Sequence, residues 1–189
     1  AVHGLVLEMR ERVGEVPAGE FDIIDLNQLS QQKGAWQLAG VETQLSLNAI
    51  VQGAFADEIA AYLRGLGNVK SGLLHLGETY AIGHHPEGRS WNLAVRGTER
   101  NGEVDLVGTM ELANAGLAVS AHDKKNLLVD PVGKSIHRSD RVVAVSSQAG
   151  AAVADAFATA FAVAPRKQWR LQEFCAGESD VLSVPSLGR

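Results

Sequence analysis

The chain has 189 residues, a length that fits one domain (1–189) with a core of its own. Hydrophobic residues make up 46% of it and charged residues 21%, which excludes a disordered or collagen-like chain, and no apolar run reaches the ~18 residues of a membrane span. The net charge is −5 and the densest basic cluster is the pair Lys124-Lys125, so no nucleic-acid partner is expected.

The chain opens Ala1-Val2-His3-Gly4, with no starting Met and no basic n-region. That reads as a processed or trimmed chain, in which a removed targeting segment would leave no trace. Leu5, Val6, Met9 and Val13 recur at helical spacing, and Gly14 and Pro17 end that helix. Residues 18–40, rich in Gln and Gly, read as irregular. A strand is expected at 41–47, where Val41, Thr43, Leu45 and Leu47 alternate with polar residues. A helix follows, with Asn48 as N-cap and an apolar face of Ile50, Val51, Phe55, Ile59 and Leu63. Gly65 and Gly67 stop it.

Strands are then expected at Val69–Leu76, Thr79–Ile82 and Trp91–Val95, with His84-His85-Pro86-Glu87-Gly88 as a hairpin loop. Asn101-Gly102 is a turn signal before a strand at Val104–Val107. Short strands fit Leu117–Ser120, Leu127–Val129, Val142–Ser146 and Val181–Val184. An Ala-rich helix runs from Ala149 to Val163, with a buried stripe of Ala152, Val153, Ala156, Phe157, Ala160 and Phe161, and Pro165 closes it. Strands in a run with helices segregated predict an α+β fold of antiparallel sheets.

Among residues suited to chemistry, Asp155 and Thr159 stand out. Four apart on one helix, they project oxygens from one face and can offer hard ligands to Mg²⁺. Asp155 also sits among small apolar residues, where an unpaired charge is costly. The ordinary alternative is a solvated Asp and a Thr bonded to its own helix. The six histidines show no metal-ligand spacing. The lone Cys175 can form no internal disulfide, and no phosphate-binding or dinucleotide-binding glycine loop occurs. Glu78, after Gly77, is either a solvated turn residue or a group that holds a ligand hydroxyl or amine.

Four segments, in order, resemble the ApbE-type flavin transferases (FAD:protein FMN transferases). The first is Leu45-Ser46-Leu47-Asn48-Ala49-Ile50-Val51-Gln52-Gly53-Ala54-Phe55-Ala56-Asp57. The second is Leu74-His75-Leu76-Gly77-Glu78, then Ala81-Ile82-Gly83 and Gly88-Arg89-Ser90-Trp91. The third is Leu117-Ala118-Val119-Ser120-Ala121, then Asp130-Pro131. The fourth is Val142 to Ser146, then Ala154-Asp155-Ala156-Phe157-Ala158-Thr159-Ala160. The likeness spans about residues 41–164.

The resemblance implies an ApbE-like, T-fold-like α+β architecture that holds FAD. It implies a divalent ion, Mg²⁺, bound by the Ala49 carbonyl, Asp155 and Thr159. It puts Ser46, Gln52, Glu78 and Leu128 where the family contacts flavin or nucleotide. It implies transfer of FMN from FAD to a Thr or Ser of a flavin-acceptor protein, of the membrane redox-complex subunit type, and a periplasmic location. Where the family has a His ahead of its Asp-Pro, this chain has Leu127, so His137 is the nominee for the base. The alternative is a non-catalytic relative that binds FAD or only a partner.

Overall fold

The computed structural model describes residues 29–39, 47–98, 104–121, 128–130, 135–137, 141–164 and 179–185. The expected helix at 5–13, the strand at 41–47 except Leu47, the Asn101-Gly102 turn and Pro165 lie outside them. The chain divides into two compact units: Ala1–Leu47 with Val129–His137, and Asn48–Leu128 with Arg138–Arg189.

In the first unit, β1 (Leu29–Gln32) and β2 (Ala35–Leu38) form an antiparallel hairpin, so part of the stretch read as irregular is strand. Lys33 and Gly34 both have positive φ, the backbone of a two-residue hairpin turn. The pattern was hidden because Ala35, Trp36, Gln37 and Leu38 are all exposed and do not alternate. β8 (Leu128–Asp130) and β9 (Ser135–His137) form another two-stranded sheet. His137, the nominee for the base, is therefore a strand residue.

The second unit is built on a five-stranded antiparallel sheet. Its strands are β3 (Gly72–Leu76), β4 (Glu78–Ile82), β7 (Ala115–Ala121), β10 (Arg141–Ser147) and β11 (Ser179–Pro185), in the order β11-β10-β7-β4-β3. Two helices, α1 (Val51–Gly65) and α2 (Ala151–Val163), pack against it. Among the described residues, β5 (Trp91–Thr98) and β6 (Val104–Leu112) pair only with each other, as a ribbon. β4 and β5 therefore belong to different sheets, and the segment around His85 is a local turn rather than a hairpin loop. There the His85 N–H donates to the Arg89 carbonyl at 2.9 Å and the Gly88 N–H to the His85 carbonyl at 2.8 Å.

β10 shows why its apolar run is almost unbroken. Val142 and Ala144 join the core cluster of the β5–β6 ribbon, which includes Val95, Met110 and Leu112. Val143 and Val145 face the other way, against Ala154, Ala158, Phe161 and Ala162 of α2. A strand covered on both sides needs apolar residues at every position.

α1 buries a different face from the one its large residues predict, and α2 buries its expected Phe161 together with a row of residues outside the expected stripe. α1 buries Gly53, Ala56 and Ala60, while Phe55 is 61% and Ile59 39% exposed. α2 buries Ala151, Ala154, Asp155, Ala158, Phe161 and Ala162, and Ala160 is exposed. The reason is close approach. A Cβ on Gly53 would collide with the Ala151 backbone, and so would one on Gly116 of β7. Where α1 and β7 meet the start of α2, at Gly53 and Gly116, no side chain fits. α1 also starts at Val51 behind Ile50 with no side-chain cap, and Asn48 lies in the turn ahead of it.

Candidate cation-binding site

The face that α2 buries carries Asp155 inward with its alanines. Positions 151, 155, 158 and 162 share one side of the helix, so seating Ala151, Ala158 and Ala162 seats the carboxylate too. Asp155 is 7% exposed, accepts from the Gly53 backbone N–H, and its Oδ2 has no hydrogen-bond partner. Burial pushes its carboxyl up to about 6, while the Gly53 N–H pulls the other way.

Glu78 faces it from the sheet. β3 ends at Leu76, and Gly77, at φ 96°, takes a corner that a side chain would strain. The next residue opens β4 with its carboxylate half-buried and accepting from the Val119 backbone N–H. Burial raises the Glu78 carboxyl to about 8, with the negative charge of Asp155 as the second cause and the Val119 N–H opposing both. The neighbour of Val119, Ser120, has its hydroxyl 3.3 Å from that of Thr159, one turn beyond Asp155.

Helix and sheet thus put the Asp155 carboxylate, with Oδ2 unpartnered, within electrostatic reach of Glu78 and one helical turn from the Thr159–Ser120 hydroxyl pair. Each carboxylate is held in a state that a positive charge would relieve. Among the described residues no cluster of three His, Cys, Asp or Glu occurs. The donors are hard oxygens and few, which suits a cation such as Mg²⁺ that keeps other ligands from water or phosphate. The residues present therefore fit the ion that the resemblance implies.

Of the expected site residues, Asp155, Glu78 and Thr159 meet here. Gln52 is exposed, and its Oε1 lies 2.6 Å from where a Cβ on Gly77 would stand, so it covers the Glu78 corner. Ala49 is half-buried in the turn before α1. Leu128 starts β8 and His137 ends β9, and Ser46 lies outside the described residues. Sequence reasoning missed Ser120 and the backbone donors Gly53 and Val119. All three lie in the motif segments, but nothing local marks a backbone N–H as a ligand.

The sequence profile of the ApbE family matches residues 14–178. The chain belongs to the ApbE family. Two solved structures share the fold of this ApbE-family chain. One is the flavin transferase ApbE from Vibrio cholerae, 19% identical, with a TM-score of 0.75 over 96% of this chain and 63% of that one. The other is the apo form of the Pseudomonas stutzeri flavinyl transferase ApbE, 20% identical, with a TM-score of 0.68 over 98% of this chain and 64% of that one. This ApbE-family chain thus spans less than two thirds of either relative. The match confirms the α+β class with antiparallel sheets. No curated protein sequence matches the chain.

Proposed function

We propose that this chain is an Mg²⁺-dependent FAD:protein FMN transferase. The observation that carries the reading is the buried Asp155, with Oδ2 unpartnered, beside Glu78 and one turn from Thr159 in an ApbE-family chain. In this reading the Asp155 and Thr159 side chains and the Ala49 carbonyl would hold the ion. Ser46, Gln52, Glu78 and Leu128 are the residues assigned to the flavin nucleotide by the family resemblance. A bound Mg²⁺ supplies neutralisation of the pyrophosphate charge.

The acceptor is a Thr or Ser hydroxyl of a partner protein. Its oxygen bonds to the FMN phosphorus, the bond from that phosphorus to the AMP phosphate oxygen breaks, and AMP leaves with the electron pair. The hydroxyl proton must go to a base, for which His137 is the nominee. The partner is a flavin-acceptor protein of the membrane redox-complex subunit type, and the chain works in the periplasm. Among the described residues no helix is long and apolar enough to cross a membrane.

The test is incubation with FAD, Mg²⁺ and a flavin-accepting domain, followed by a search for covalent FMN by intact mass. Transfer supports the reading. FAD binding without transfer overturns it in favour of a non-catalytic FAD-binding relative, which Leu127 at the family His position favours. Transfer that survives His137→Ala keeps the enzyme and removes His137 from it.

A further inference from the structure

The cation site rests on one carboxylate, Asp155, whose position is set by how α2 lies on α1. The two helices hold each other through reciprocal caps. A helix leaves its first backbone N–H groups without partners inside the helix. At the start of α2, the Ala151 N–H donates to Asp57 Oδ1 at 2.7 Å and the Ala152 N–H to Asp57 Oδ2 at 2.9 Å. At the start of α1, the Gly53 N–H donates to Asp155. Neither helix has a side-chain cap from its own N-cap residue. Each takes its capping carboxylate from the other.

The spacing makes this a two-point clamp. Gly53 and Asp57 are four apart on α1, and Ala151 and Asp155 are four apart on α2, so each pair lies about one turn apart on one face. Gly53 meets Asp155 at one end and Asp57 meets Ala151 at the other. Nothing bulky intervenes. A Cβ on Gly150 would come within 2.6 Å of Asp57 Oδ2, and the Gly53 and Gly116 sites have no room for a Cβ against Ala151. Both Asp57 oxygens are taken by α2 amides, and the Asp155 Oδ2 has no hydrogen-bond partner.

We propose that Asp57 is a positioning residue for the cation site: its carboxylate seats the start of α2 on α1 and so sets where Asp155 stands against the Gly53 N–H and Glu78. The inference rests on the cation reading of the site. Asp57 acts through α2 and does not touch the ion.

The experiment uses the full chain as wild type, Asp57→Ala and Asp57→Asn, with Leu112→Ala as a destabilised control remote from the helices. Two quantities are read. One is Mn²⁺ affinity in the presence of FAD, by the electron paramagnetic resonance of free Mn²⁺. The other is hydrogen exchange of the Gly53 amide with no metal or FAD. Partners of metal ligands typically set affinity by about 10–100-fold, so Asp57→Ala is expected to weaken Mn²⁺ by that factor. It is also expected to speed exchange at Gly53. Asp57→Asn, which keeps one oxygen acceptor, should fall between, and Leu112→Ala should leave Mn²⁺ affinity unchanged and speed Gly53 exchange no more than that of the β10 amides. Wild-type Mn²⁺ affinity in both Asp57 variants would overturn the proposal, as would an equal loss in Leu112→Ala. A wild type that binds no Mn²⁺, with Gly53 exchange still faster in Asp57→Ala, would overturn the cation reading and support the coupling of the two helices.

Discussion

The two faces of the five-stranded sheet are packed by different rules. On the ribbon side the core is bulky: Val95, Met110 and Leu112 of β5 and β6 meet Leu117 and Val142, with Trp91 and Leu93 packed against them. Its buried polar orphan is neutral, the Trp91 Nε1. On the helix side alanines of both helices, Ala56, Ala60, Ala151, Ala154, Ala158 and Ala162, line the core beside Val143, Val145 and Phe161, and its orphan is a carboxylate oxygen, Asp155 Oδ2. Bulky side chains fill space and stabilise through area removed from water. Small ones let backbones approach until an N–H of one helix reaches a carboxylate of the next. The ribbon side holds the sheet, and the helix side is where the proposed function puts the ligand. That assignment of labour can be broken by substitution.

The largest expected effect belongs to the ribbon side. Leu112 is 1% exposed, and Leu112→Ala should lower stability by about 2–5 kcal/mol in urea unfolding. Mg²⁺-dependent FAD binding by the molecules still folded should be unchanged. A matching fall in affinity would show that the two faces are not independent.

Gly53→Ala is the helix-side counterpart. Its added methyl meets the Ala151 backbone, which cannot rotate away, so an overpacking loss of about 1–3 kcal/mol is expected. Here Mg²⁺-dependent FAD affinity should fall as well, because the Gly53 N–H moves away from Asp155. Retention of affinity would separate the close helix packing from the site.

The third test uses pH. The carboxyls of Asp155 and Glu78 are raised from 3.8 and 4.5 to about 6 and about 8 in the folded, metal-free chain. Between the unfolded and folded values the folded state holds protons that the unfolded state has lost, so stability falls as pH rises. The contribution is complete below 3.8 and is lost as pH climbs through about 6 and about 8. Urea midpoints against pH check this. Asp155→Asn should flatten the fall and, at neutral pH, stabilise the metal-free chain by about 1–3 kcal/mol, since the buried charge is gone. With Mg²⁺ and FAD the order should reverse, because the wild type alone gains binding energy at Asp155. A variant no more stable than wild type without metal would contradict the strained pair.

The smallest effect is expected at Trp91. Trp91→Phe removes the unpartnered indole N–H and leaves a smaller ring in place. Loss of volume and loss of the orphan donor oppose each other, so the change in unfolding free energy should stay below about 1.5 kcal/mol. A large loss would mean that Nε1 has a partner.

Much of the site was legible because its signals are local. Asp155 and Thr159 stand four apart on one helix, and Glu78 follows the glycine that turns β3 into β4. The β1–β2 hairpin was not legible, because its strands do not alternate. The helix faces were misjudged for a physical reason. Phe55 and Ile59 make α1 look amphipathic, yet the contact with α2 is too close for anything larger than alanine. Size outweighed hydrophobicity there.

The sequence by itself determined the α+β class, most strand and helix positions, and that Asp155 and Thr159 stand one turn apart on one helix. Those depend on periodicity and on neighbours a few residues away, which the chain carries in its order. Only the tertiary structure decided which helix faces are buried, that β4 and β5 belong to different sheets, and that Glu78 confronts Asp155. Only it decided that Asp57 and Asp155 cap each other's helices. Those facts depend on distance and exclusion of water between segments far apart in the chain. A carboxylate has no raised pKa and no missing partner until the fold has taken its water away.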